Sequence, residues 1–350
     1  MKTYLILQHP GHNRVYYNLS GPLALAELRV ACNRLSVASN TVEIIDIEGI
    51  RYLSLTTQTA LTKSDLEIVS RLSFVFALFE LEQIDNRSFL TPIFKEEYEY
   101  VDSKISSLLK YAGKTNELFT KMMINVGLLS SHFNYKDSIQ LLDPVAGKGT
   151  TLYEGTIYGF DVTGIEIEPK SVQAIQLFFK KYLETERFKY KVDKKQVFGK
   201  NKSEAVYSDA FEYAQTKDQF KSDAHRKTLT IVNGSTLHAS DYLKSNQFHL
   251  IIGDLPYGVA HGNSLNKKST SITRNPAELL EASLPGWFKV LKTGGVVVIA
   301  WNAFVVSRHK LSELFMQYGF EVLTESPYDE FEHMVDRSIK RDIVVARKVK

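Results

Sequence analysis

Asp143-Pro-Val-Ala-Gly147-Lys-Gly149-Thr150 follows the apolar run Ser138-Ile-Gln-Leu-Leu and leads into a helix-forming stretch that reaches Tyr158. A short strand that ends in glycines and opens a helix is the first half of a βαβ unit. Glycines let the backbone turn tightly and let a ligand approach the main chain. The helix N-terminus offers unpaired N–H groups and a positive dipole to an anion. Alone, this pair of glycines also suits a nicotinamide or flavin enzyme, or a tight turn with no ligand. The full dinucleotide fingerprint is missing, because Leu152 stands where its third glycine would be.

Strands and helices alternate from there. Phe160-Asp-Val-Thr-Gly-Ile-Glu166 reads as a second strand and 169–183 as a second helix; strands follow at 228–233, 248–254 and 295–301, with a helix over 277–291. This rhythm predicts an α/β fold with a mostly parallel sheet covered on both faces. A helix from about Lys310 leads to Phe320-Glu-Val-Leu and Asp342-Ile-Val-Val-Ala. The polar link between these two has no room for a crossover helix, so they are expected to form an antiparallel edge. Over 184–227 the rhythm fails, and lysines interleave with Tyr190, Phe198, Tyr207, Phe211 and Tyr213. Two readings of this insertion stand: a substrate-facing arm with cations for phosphate and rings for bases, or a solvated excursion whose rings pack on their own host. The mixed charge favours the second.

Residues 1–100 read as a small α+β domain, a candidate for RNA binding, ahead of a catalytic domain over 101–350. A strand is expected at 3–8, a helix opening at Ser20-Gly21-Pro22 with Leu25, Leu28, Cys32 and Leu35 on one face, and strands at 42–47 and 73–81. From 101 to 129 the apolar spacing is helical. At 350 residues, 44% hydrophobic and 24% charged, the chain exceeds what one ordinary core serves and belongs to the soluble globular class. No apolar run approaches the roughly 20 residues of a spanning helix, and the first residues are too short a run for a signal peptide. A cytoplasmic protein without a membrane partner is expected. The single cysteine, Cys32, makes no internal disulfide. A net charge of +3 and a pI near 8.6 permit a nucleic-acid partner without requiring one.

Two further sites carry chemistry. Glu166 closes the second strand, where a carboxylate can accept both hydroxyls of a ribose, and Ile167 beside it can cover an adenine. Asp254-Leu255-Pro256-Tyr257 stands at the carboxyl end of a strand, where open α/β sheets bind ligands. An exocyclic amine on a base is a poor nucleophile because its lone pair is delocalised into the ring. The Asp254 side chain and the Leu255 carbonyl could accept its N–H bonds and aim that lone pair; Pro256 would stiffen the turn and Tyr257 give the base a face to stack on.

Together, Asp-Pro-x-x-Gly-x-Gly-Thr, Gly-Ile-Glu-Ile-Glu-Pro and Asp-Leu-Pro-Tyr-Gly resemble the amino-methyltransferase branch of the class I methyltransferases, nearest to the tRNA guanosine-10 N2-methyltransferase family. Leu118-Phe-Thr-Lys-Met-Met-Ile-Asn-Val-Gly resembles that family's helix leading into the fold, and the likeness covers about residues 115–348. It implies a Rossmann-like class I methyltransferase sheet, S-adenosyl-L-methionine as cofactor and RNA, tRNA before others, as partner. Asp143, Pro144, Ala146, Gly147, Gly149, Thr150, Glu166 and Ile167 would bind the cofactor, its methionine carboxylate at the helix N-terminus, and Asp254, Leu255, Pro256 and Tyr257 would serve catalysis. The sequence departs from the family in two places. Leu255 replaces the usual proline, and Asn233-Gly234-Ser235 replaces an adenine-contacting aspartate, leaving Ser235, or less favourably Asp241, for that role. The N-terminal region is also short for the RNA-binding THUMP module of many relatives. No metal is expected, since methyl transfer from a sulfonium needs no Lewis acid. DNA amino-methylation, protein glutamine methylation and a cofactor-binding protein without turnover remain alternatives, and a small activating protein subunit stays open.

Overall fold

The computed structural model describes residues 1–10, 14–85, 87–111, 113–198, 205–256 and 276–350. The first unit contains β1 (Lys2–Gln8), α1 (Arg14–Cys32), β2 (Ser39–Ile47), β3 (Ile50–Thr57), α2 (Lys63–Arg71), β4 (Val75–Ile84) and β5 (Arg87–Ile93). Its sheet runs β2-β3-β1-β4-β5, antiparallel throughout. The first four strands and two helices form a ferredoxin-like βαββαβ arrangement, extended by β5. Glu48 and Gly49, both at positive φ (52° and 79°), make the two-residue turn joining β2 to β3, which matches the strands' twist. Thr62 and Asp65 form a capping box at the start of α2.

Helix α1 corrects the expectation that a helix opens at Ser20-Gly21-Pro22. It starts at Arg14 and runs through Pro22, which lies on the exposed side, while Ser20, Leu23, Ala24 and Glu27 are buried. Burial of that face outweighs the break in the hydrogen-bond ladder that proline imposes.

The second unit holds α3 (Lys104–Leu108), α4 (Glu117–Ser130), β6 (Gln140–Asp143), α5 (Thr150–Ile157), β7 (Asp161–Glu166), α6 (Pro169–Thr185), β8 (Lys189–Phe198), β9 (Ala205–Ala214) and α7 (Lys217–Phe220). It continues with β10 (Lys227–Asn233), α8 (Ala239–Tyr242), β11 (Phe248–Asp254), α9 (Pro276–Val290), β12 (Leu291–Asn302), α10 (Arg308–Gln317), β13 (Phe320–Leu323), β14 (His333–Met334) and β15 (Lys340–Lys348). The sheet order is β13-β15-β12-β11-β6-β7-β10-β9-β8, with β14 on β15. β10, β7, β6, β11 and β12 are parallel neighbours, and β13 with β15 forms the expected antiparallel edge. This is the expected Rossmann-like α/β sheet.

Neither reading of the insertion named strands, and its described residues form two. β8 and β9 form a hairpin that adds a second antiparallel edge, β9 pairing with β10. Phe211 and Tyr213 are buried edge-on against Phe179, 5.6 and 5.3 Å between ring centres, so these two rings do pack on their host. Tyr207 is exposed.

The chain runs from β6 through β7 to β10 on one side of the sheet, then returns to lay β11 and β12 on the other. This reversal opens a crevice between the carboxyl ends of β6 and β11. One sheet face packs α9 and α10 around Trp287 and Trp301. Across the other lies α4, buried from Met122 to Ser130 because α1 covers its outer side. The buried apolar cluster on this face includes residues of both units, from Tyr4 to Val345. At the junction the buried Glu27 accepts bonds from the N–H and hydroxyl of Ser73 and from the Asn125 amide (2.7 Å). Among the described residues, no helix is long and apolar enough to cross a membrane.

Candidate active site

Asp143, the last residue of β6, is buried and accepts a bond from the Val145 N–H (3.0 Å), which folds the chain into the glycine loop. Gly147 (φ 53°) and Gly149 (φ 91°) take left-handed conformations open to glycine. Their roles differ. A side chain at Gly149 would press on Tyr153 and Ile175, so this glycine serves packing at the start of α5, whereas one at Gly147 would project into open space. Glu166, at the end of β7, accepts the Gly147 N–H (2.7 Å) and the Glu168 N–H (2.7 Å), tying two strand ends together.

Asp254 ends β11, the strand next to β6. Its Oδ2 accepts a bond from the Thr115 hydroxyl (2.7 Å), and the Arg341 guanidinium of β15 lies 3.6 Å from the same oxygen. Arg341 also lies over the Phe119 ring, 4.8 Å from its centre. The carboxylate is therefore oriented by groups from the loop before α4 and from the far strand. Leu255 is buried, its N–H bonded to the Ala300 carbonyl (2.9 Å).

A pocket of about 360 Å³ joins the two motifs. Asp143, Ala146, Gly147 and Thr150 stand on one side and Asp254, Leu255 and Pro256 on the other. That volume suits a small-molecule cofactor. Burial pushes the Asp143 carboxyl up to about 7, against bonds from Val145 and Thr151, and the nearby Glu166 and Asp254 carboxylates add to the rise. Glu166 is also raised, again mainly by burial. Two carboxyl groups, Asp143 and Asp254, line the pocket together with Lys148, a wall that suits a ligand carrying both positive and negative groups.

Pro144, Gly149, Glu166, Ile167 and Ser235 are not in the pocket wall. Ile167 is exposed, and Ser235 caps the short turn Thr236–His238. Pro144 follows β6 and Gly149 caps α5, while Glu166, Ile167 and Ser235 lie at the neighbouring ends of β7 and β10, where the Asn233 amide donates to the Glu166 carbonyl (3.0 Å) and the Gly234 N–H to the same oxygen (3.0 Å). Tyr257 lies outside the described residues. Sequence reading missed Tyr111, Thr115 and Arg341. Tyr111 pairs with the Thr150 hydroxyl (3.1 Å) and carries the Lys148 ammonium over its ring at 4.5 Å. Thr115 directly precedes Asn116, the helix cap of α4, and that capping signal was the only one within reach; nothing near Arg341 in the sequence marks it.

No family model matches the sequence, and no curated protein matches it. Solved structures of similar fold include a TehB-like SAM-dependent methyltransferase from Corynebacterium glutamicum (15% identity over 60% of this chain and 80% of that one, TM-score 0.33). TehB from Haemophilus influenzae is 14% identical over 61% and 58%, with a TM-score of 0.34. Precorrin-6y C5,15-methyltransferase from Geobacter metallireducens is 13% identical over 72% and 98%, with a TM-score of 0.39. At such distances they carry no argument about function, and the functional reading stands on the pocket.

Proposed function

We propose that this chain is an S-adenosylmethionine-dependent methyltransferase acting on an exocyclic amino nitrogen of an RNA base, with guanosine N2 in tRNA the first substrate to test. One observation carries the reading: the glycine loop at the end of β6 and Asp254-Leu255-Pro256 at the end of β11 face each other across a single pocket. The open space beside Gly147 and the surrounding carboxyl groups fit a ligand with sulfonium and ammonium charges. When bound, that cofactor supplies a methyl group activated by sulfonium.

The chain's own residues do the rest. Asp254, with Oδ2 fixed by Thr115 and Arg341, accepts an N–H bond of the incoming amine, and the Leu255 carbonyl accepts the second. Two acceptors turn the nitrogen so that its lone pair leaves the ring's π system and points into the pocket. This orientation is required in the transition state more than in the ground state. Pro256 holds the turn, and Tyr257 offers the stacking face.

The test is single-turnover methyl transfer from labelled S-adenosylmethionine to bulk tRNA, with DNA and protein as parallel acceptors and digestion to nucleosides. Label in N2-methylguanosine is expected. Asp254→Ala should lower the rate about 100-fold or more while leaving cofactor affinity close to wild type. Label on DNA or on a protein amide would move the reading to those acceptors. Cofactor binding with no transfer would make this a binding protein. An undiminished rate in Asp254→Ala would remove the mechanism.

A further inference from the structure

β14 is only two residues long, yet it sets His333 directly opposite Arg341 on β15, the residue whose guanidinium lies 3.6 Å from Asp254 Oδ2. Residues paired in this way across two strands put their side chains on the same sheet face. Both side chains rest on one ring. Phe119 of α4, fully buried, has the His333 ring 5.2 Å from its centre and the Arg341 guanidinium at 4.8 Å. His333, Arg341 and Asp254 thus form a row that ends at the pocket, with Phe119 as its floor.

The state of the imidazole follows from its neighbours. Its Nδ1 stands 3.0 Å from the Phe331 carbonyl, which can only accept, so Nδ1 carries the hydrogen and Nε2 keeps a lone pair. Burial pushes the ring's pKa down to about 4; the Arg341 charge adds to the fall, while the Phe331 bond and the Asp254 carboxylate oppose it. At neutral pH His333 is therefore an uncharged acceptor. Its Nε2 is buried and has no hydrogen-bond partner among the described residues. A buried lone pair left unmet is costly, and the residue opposite carries a fork of N–H donors.

We propose that His333 is a positioning residue for methyl transfer: once the site is filled, its Nε2 accepts an N–H of Arg341, so that the guanidinium bridges His333 and Asp254 and holds the carboxylate toward the amine. The inference rests on the methyltransferase reading of the pocket and deepens it. A sulfonium in the pocket attracts Asp254 and repels Arg341. Arg341 then needs a second anchor, and a neutral lone pair supplies one without adding a charge that would compete with Asp254 for the ligand. The face of Phe119 lets the guanidinium settle between its two acceptors while it stays over the ring. Asp254 touches the amine, and His333 acts only through Arg341.

The experiment is a double-mutant cycle on the full chain, read by single-turnover methyl transfer from labelled S-adenosylmethionine to bulk tRNA. His333→Phe and His333→Leu both remove the acceptor; the first keeps a ring on Phe119, and the second guards against a misfit of the larger side chain. Each should lower the transfer rate about 10-fold, with KM for tRNA and calorimetric affinity for S-adenosylmethionine unchanged. His333→Gln, which restores an acceptor oxygen at a similar reach, should recover the rate to within about 3-fold of wild type. Arg341→Met should lower the rate at least as far as His333→Phe, and His333→Phe added to it should change nothing more. A wild-type rate in both His333→Phe and His333→Leu overturns the inference and leaves the functional reading standing. So does a full additional loss when His333→Phe is placed on Arg341→Met, because Nε2 then serves some other partner, such as a water. If wild type itself transfers no methyl group to RNA, DNA or protein, the functional reading fails first and this inference falls with it.

Discussion

Thr115 and Asp254 stand 139 residues apart and share a 2.7 Å hydrogen bond, which makes the threonine the residue best placed to set the carboxylate's direction. Thr115→Val keeps the shape and removes the donor. It should lower kcat about 10-fold with cofactor affinity unchanged, whereas Thr115→Ser should restore most of the rate. Gly147→Val should abolish cofactor binding in calorimetry. A branched side chain at φ 53° is strained and fills the space left open there. Asp143 sets a pH dependence. Its carboxyl titrates at about 7, so it loses charge as pH falls through that value. A cationic ligand favours the ionised form, and affinity should fall about 3- to 10-fold between pH 7.5 and 6. In Asp143→Asn the affinity should be lower and flat with pH; a wild-type profile in that variant would remove Asp143 from the site.

At the level of elements, α4 links the site to the N-terminal unit. Its Gly127 lies so close to the sheet that a methyl group there would meet Ile252 at 2.9 Å and Val298 at 3.2 Å. Gly127→Ala should therefore cost about 1–3 kcal/mol in denaturant unfolding. Because Ile252 lies two residues before Asp254, the same change should also reduce kcat. The periodicity over 101–129 correctly announced helix but hid the break between α3 and α4, residues 109–116, whose Tyr111 and Thr115 reach the pocket. The hairpin β8–β9 was illegible for another reason. Lysines crowd β8, and in β9 Val206 packs on the opposite sheet face from Phe211 and Tyr213, so no clean alternation marks the strand before the edge of β10 exists for it to join.

On the scale of the whole molecule, the two units share one buried cluster and a polar junction at Glu27. Burial raises the Glu27 carboxyl, while bonds from Ser73 and Asn125 oppose the rise. Glu27→Ala would strand those donors in a closed interior and should cost about 3 kcal/mol. Calorimetry should show one unfolding transition in both wild type and variant, shifted down in the variant. Two separated transitions would mean that the units fold independently.

The local pattern of the chain determined the Asp143–Thr150 loop at a strand end, Asp254 at another, the α/β rhythm and the antiparallel pair near the C-terminus. Strand ends, glycine turns and apolar periodicity are written in neighbouring residues. Only the tertiary structure decided that β6 and β11 lie side by side, that Gly147 faces the pocket while Gly149 packs on Tyr153, and that Thr115 and Arg341 hold Asp254. Those facts depend on which distant segments meet, and the pairing is selected by burial of both sheet faces together, a property no single stretch of sequence contains.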